Sequence, residues 1–161
     1  MSDNNNETMA DKTGADSIQI VKALSPREWE AIRHFRQYYF FDKASIIDPY
    51  TWTFNHEKHD HLVLYKGSLM VGYAHLQYWP ESRVALRIIV VDEPHRNQGL
   101  GSEFLHQIEL SLKEHGIEKI HVQSSPEAYQ FYCQNNYIDM PFNDPDGYES
   151  CSSDIDMGKI L

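Results

Sequence analysis

Within the 161-residue chain, Arg96-Asn97-Gln98-Gly99-Leu100-Gly101 is the segment whose residue types and spacing best suit chemistry on a ligand. Glycines at 99 and 101 let a backbone without Cβ turn tightly and press its amides against phosphate oxygens. The helix expected to follow adds free first-turn N–H groups and the positive end of its dipole, and Arg96 adds a charge-assisted contact. The chemistry implied is the holding of a pyrophosphate. An isolated G-x-G also shapes ordinary strand-to-helix turns, so the flanking elements must decide. Two other glycine loops are excluded by the same residues. A dinucleotide fingerprint needs a third glycine where Phe104 stands, and a Walker loop needs Gly-Lys-Ser/Thr.

The flanking elements fit a phosphate cradle. Val84 to Val91 is apolar except for Arg87, as expected of a central strand covered on both faces. After the loop, Leu100, Phe104, Ile108 and Leu112 recur at four-residue spacing up to Gly116, which predicts a helix. Earlier in the chain, Ile18 to Ala23 reads as a strand. Ser25-Pro26-Arg27-Glu28 supplies an N-cap, a first-turn proline and a capping-box acid for a helix ending near Phe41. Its stripe of Trp29, Ile32, Phe35 and Tyr39 is spaced to lie on a sheet. Residues 42–61 have no clean period and are expected to form a short helix and a loop. His61 to Tyr65, the turn Lys66-Gly67-Ser68 and Leu69 to Tyr78 predict an antiparallel hairpin. Lys119 to Gln123 predicts a strand, Ser125-Pro126 a helix to about Asn135, and Tyr137 onward more strand. The order is mixed α and β.

Two stretches carry a family resemblance. Val91-Asp92-Glu93-Pro94-His95-Arg96-Asn97-Gln98-Gly99-Leu100-Gly101 resembles motif A of the GNAT acetyltransferases. Ala128, Phe131-Tyr132 and Tyr137 then stand where that family shows Ala, Phe-Tyr and a closing aromatic, and Asp154 to Lys159 resembles its final strand. The resemblance spans about Ile18 to Leu161 and implies a mixed α+β GNAT fold, with a splayed, mostly antiparallel sheet of about six to seven strands flanked by helices. It also implies acetyl-CoA as cosubstrate. The amides of Ile89, Val90 and Val91 would meet the pantetheine arm, and Arg96, Asn97, Gln98, Gly99, Leu100, Gly101 and Ser102 would hold the pyrophosphate. An amide near Val90 would stabilise the oxyanion, and Tyr132 would contact the cosubstrate and protonate the leaving thiolate. The implied activity is direct transfer of the acetyl group to a primary amine of a small molecule or peptide. The alternative is a catalytically weak acyl-CoA-binding module that acts as a sensor or interaction domain.

Two positions depart from the pattern. Ser125 replaces an Asn that bonds pantetheine in many members, and serves either that contact or an N-cap. Asn136 replaces a glycine before the aromatic, but Asn tolerates left-handed backbone. No carboxylate lies on the strand before the loop, so the general base is unassigned. His75 and His121, on predicted strands, and water are the candidates. His56, His59 and His61 read as solvated loop residues without an accompanying cysteine, and no metal is expected.

Composition bounds the partners. The net charge of −10 lies mostly at the ends, −3 in residues 1–16 and −4 in residues 142–161, and no basic stripe suits nucleic acid. No apolar run of about 18 residues suits a membrane. By the resemblance, Asp144, Asp146 and Glu149 border the acceptor opening and would draw an ammonium group. Residues 1–16 read as a flexible tail and 17–161 as the catalytic domain. Two cysteines, Cys133 and Cys151, and the absence of a secretory leader point to the cytoplasm. A homodimer is left open.

Overall fold

The computed structural model describes residues 17–147 and 151–161, so the expected tail, and Glu149, lie outside the described residues. Helix α1 (Pro26–Arg36) begins as its sequence dictates. The Glu28 amide donates to Ser25 Oγ at 3.2 Å and the Ser25 amide donates to Glu28 Oε1 at 3.1 Å, closing the capping box. The Tyr65 hydroxyl donates to Glu28 Oε2 at 2.7 Å, and this bond, with the amides of Leu24 and Ser25, holds the carboxylate at a pKa of about 2. The helical run continues as a π-turn over Gln37–Phe41 and a 3₁₀ turn over Asp42–Ala44, with a second 3₁₀ segment at Thr51–Asn55.

Among the described residues seven strands form one sheet, in the order β1-β2-β3-β4-β5-β7-β6. They are β1 (Ile18–Lys22), β2 (His59–Lys66), β3 (Leu69–Trp79), β4 (Arg83–Val91), β5 (Lys119–Ser124), β6 (Ile138–Asp139) and β7 (Ile155–Ile160). Every pairing is antiparallel except β4 with β5. Helix α2 (Leu100–Glu114) covers one face, burying Phe104, Leu105, Ile108 and Leu112 against Val71, Ala74, Val84 and Leu86. Helix α1 covers the other, where Ile32 and Phe35 meet Val63, Tyr73 and Val90. Both faces of β3 and β4 are thus covered, as the apolar run of β4 requires.

The last helix differs from expectation. Residues 126–128 form a turn and α3 (Tyr129–Gln134) starts later, with Ala128 at the N-cap, so Ser125 does not cap it. Pro126 fits a turn as well as a first helical turn, and the local sequence does not separate the two. Asn136 adopts φ +69°, the left-handed turn expected of it.

Candidate active site

The β4–β5 pairing runs only from Arg83 beside Lys119 to Leu86 beside Val122. Beyond it, β4 continues with β3 on one edge and, among the described residues, no strand on the other. The β3 register shifts between His75, opposite Ile88, and Leu76, opposite Leu86, so Arg87 is a bulge where the two strands part. The free edge opens into a cleft of about 410 Å³ lined by Ile89, Val90, Val91, the glycine loop, Phe131 and Tyr132. Alternate N–H and C=O groups of a strand edge remain available to an extended ligand.

The loop is held in place from outside. Asn97 has φ +63° and Gly99 φ +77°, where a side chain on residue 99 is strained although the space beside it is open. A Cβ on Gly101 would come within 3.3 Å of the Phe131 ring, so this glycine serves close helix packing. Arg96 donates through Nε to the Val91 carbonyl at 2.7 Å and lies over the Tyr39 ring at 5.1 Å, while among the described residues its two Nη groups have no hydrogen-bond partner. The Tyr39 hydroxyl donates to Asp92 and accepts from the Glu93 amide at 2.9 Å. Gly99 caps α2 without a side-chain bond, leaving first-turn amides free toward the cleft. These unspent donors, one guanidinium face and a helix start, match a pyrophosphate.

The sequence profile of the acetyltransferase (GNAT) family matches residues 24–136. The chain belongs to the GNAT acetyltransferase family. Its fold resembles that of Tetrahymena GCN5 (TM-score 0.73, 12% identity, 89% of this chain and 95% of that one). Escherichia coli ElaA is also similar (TM-score 0.71, 16% identity, 89% and 98%). So is the PaiA N-acetyltransferase of Thermoplasma acidophilum, solved with coenzyme A (TM-score 0.66, 16% identity, 90% and 99%). A search of curated protein sequences finds no significant match.

In this GNAT domain most of the expected site residues converge, and two do not. Ile89, Val90, Val91, Arg96, Asn97, Gly99, Leu100, Gly101, Ser102 and Tyr132 line the one cleft. Gln98 points away, its Oε1 accepting from Lys66 Nζ at 3.0 Å. Ser125 is exposed and off the cleft, its carbonyl taken by the Ser124 hydroxyl and the Ala128 amide. Tyr132 is buried to 7% exposure, and its hydroxyl makes no hydrogen bond among the described residues. Loss of solvent pushes its pKa well above the usual tyrosine value, so it holds its proton throughout the neutral range.

Neither histidine candidate for the base faces this cleft. His121 is packed between Trp79 and Phe142. His75 is buried in a polar network that the sequence did not reveal. His59 and His61 are not solvated loop residues. Both lie on β2, 8% and 2% exposed, because the strand starts two residues earlier than its apolar run. The visible signal was the H-x-H alternation, which places both rings on one face of a strand. No group of three metal-ligating side chains among the described residues is arranged to hold an ion. Instead, burial is the largest cause of the depressed pKa values of His59 and His61, both about 4, and these rings are neutral.

The network centres on Arg36, which is 1% exposed and binds Asp48 through Nε at 2.6 Å and Nη2 at 3.2 Å. Its Nη1 reaches the Tyr73 hydroxyl at 3.1 Å and His75 Nδ1 at 3.2 Å. Asp144 likewise has an internal partner. Its side chain, 3% exposed, accepts from Arg87 Nη2 at 2.9 Å and from the Asp146 amide at 2.8 Å, so it is not free to attract an acceptor.

Proposed function

We propose that the chain moves an acetyl group from acetyl-CoA to a primary amine of a small molecule or peptide by direct attack. The observation that carries this reading is the unpaired edge of β4 facing both the start of α2 and the buried Tyr132. The amides of residues 97–102 and the free Nη groups of Arg96 hold the pyrophosphate. The pantetheine arm lies along Ile89–Val91 in the manner of a strand, with its thioester in the splay between β4 and β5. The neutral amine adds to the thioester carbon, and a backbone amide near Val90 stabilises the oxyanion. When the carbon–sulfur bond breaks, Tyr132 gives its proton to a thiolate whose ordinary pKa is about 8.5. Water carries away the proton that the amine loses before attack, since His75 and His121 are both enclosed, and the proton released from nitrogen as the tetrahedral adduct collapses restores the Tyr132 hydroxyl.

The structure of PaiA with coenzyme A supports this cosubstrate for a domain of the same fold. The test is thiol release from acetyl-CoA across polyamines, aminoglycosides, amino acids and peptides. Release above the hydrolytic background with one of these classes is expected. Tight acetyl-CoA binding with no release from any amine would leave the protein a binding module.

A further inference from the structure

The buried network has a direction, and Arg36 sets it. Arginine only donates, so the His75 Nδ1 that faces it carries a lone pair. Neutral His75 therefore bears its proton on Nε2, which donates to His59 Nδ1 at 2.8 Å. Neutral His59 in turn bears its proton on Nε2. The second branch obeys the same logic. Tyr73 accepts from Arg36 and donates to His61 Nδ1 at 2.6 Å, and His61 Nε2 donates to Thr53 Oγ1 at 3.2 Å. Thr53 then passes its own proton to the Tyr50 carbonyl at 2.8 Å, where that branch ends. The first branch has no such end. Among the described residues no acceptor takes the His59 Nε2 proton.

His59 stands at the end of a row that leads to the bulge. It pairs in register with Gln77 on β3, and Gln77 Oε1 accepts from Arg87 Nε at 2.9 Å. Because Arg87 can only donate, the Gln77 oxygen is spent and its NH₂ faces elsewhere. Arg87 keeps Nη1 without a partner among the described residues, and its side chain is 26% exposed. The guanidinium is fixed over Phe142 at 5.3 Å and Trp79 at 5.7 Å. His59 Nε2, the Gln77 NH₂ and Arg87 Nη1, all without a partner among the described residues, thus sit on three adjacent strands, on the face opposite α2, in a row that ends where β4 parts from β5, while Arg87 Nη2 is held by Asp144 at 2.9 Å. Trp52, 59% exposed and edge-on to His59 at 5.4 Å, stands beside the row.

Building on the acetyltransferase reading, we propose that the His59–Gln77–Arg87 row binds a carboxylate of the acceptor, so that the acetylated amine belongs to an amino acid or peptide. A carboxylate offers about four acceptor sites and no donor, which complements the N–H groups left over once Asp144 has taken Arg87 Nη2 at 2.9 Å. Asp146, whose amide donates at 2.8 Å to the Asp144 carboxylate that pairs with Arg87, supplies the opposite sign on the adjoining loop for the amine end. In this arrangement His59 is a positioning donor and not the base.

The test compares amino acids with their decarboxylated partners, lysine with cadaverine, histidine with histamine, and tyrosine with tyramine. Preference for the acid of a pair is expected as a KM difference of roughly tenfold or more, the effect of losing one hydrogen bond to a charged group. Arg87→Met should shrink that preference toward parity chiefly through KM, and Arg87→Lys should restore part of it. Equal KM values within every pair, or a preference that Arg87→Met leaves intact, would overturn the proposal. A binding measurement independent of turnover separates it from the catalytic reading. In ¹⁵N-histidine spectra His59 should be the Nε2–H tautomer, and that signal should move on titration with N-acetylglycine but not with N-methylacetamide. This shift without thiol release from any amine would sink only the catalytic reading. Thiol release with no such shift, or a His59 protonated at Nδ1, would sink the carboxylate site alone.

Discussion

At the scale of single residues, Tyr132 offers the clearest test of the chemistry. Its hydroxyl has no hydrogen bond among the described residues, so Tyr132→Phe removes a proton donor without orphaning a buried partner. Turnover is expected to fall by about 10² to 10⁴ with little change in acetyl-CoA affinity, as general acid catalysis requires. Steady-state kinetics beside calorimetry separate the two, and undiminished turnover removes Tyr132 from the mechanism. The position of this tyrosine at the cleft was legible through the resemblance of Ala128, Phe131-Tyr132 and Tyr137 to the GNAT pattern, and its chemical role is what this variant decides. The Arg36 network was not legible. Asp48 lies 12 residues from Arg36, Tyr73 37 and His75 39, and only the strand register brings them together. A buried arginine carries no local signature, whereas a glycine at positive φ does.

At the scale of elements, the glycine loop depends on the π-turn that follows α1. Tyr39 on that turn bonds both Asp92 and the Glu93 amide and lies under Arg96. Tyr39→Phe loses both bonds and leaves the Glu93 amide unpaired, at a cost of about 1–2 kcal/mol. Acetyl-CoA affinity is expected to weaken about tenfold with the secondary structure intact by circular dichroism, and an unchanged affinity would show that the loop needs no brace. Gly99→Val tests the loop from inside. It strains the φ of +77° and fills the open space beside the cleft, so acetyl-CoA binding should be lost in calorimetry while the folded domain persists. Strands β1, β3, β4 and β5 and helices α1 and α2 were readable from period and caps, β2 was read two residues short, and β7 was expected only from the family resemblance. The π-turn was not readable, because residues 37–41 are aromatic or amide side chains that suit an α-helical turn equally well.

For the whole molecule, the buried histidines set an acid limit on stability. His59 and His61 titrate near 6.5 when unfolded and near 4 when folded, so between those values the unfolded chain binds protons that the folded chain refuses. Their contribution is full above pH 6.5 and is lost as pH falls toward 4, by up to about 1.4 kcal/mol per pH unit for each ring. Glu28 acts in the same direction only lower, between 4.5 and about 2. Tm should therefore drop across the window from 6.5 to 4, and a His59→Gln/His61→Gln double variant should show a shallower slope. A flat wild-type profile would mean that the rings are not held neutral. The seam between β4 and β5 has a consequence of another kind. Strands β1–β4 and the trio β5, β7 and β6 are stitched together by one ladder of four residue pairs, like two boards joined at a single end. An extended molecule laid along Ile89–Val91 would act as the missing plank. A cosubstrate bound in the proposed position would stiffen the joint as well as fill a cleft, and the amides along that crack, expected to trade their hydrogen for deuterium fast when bare, would become the slow ones.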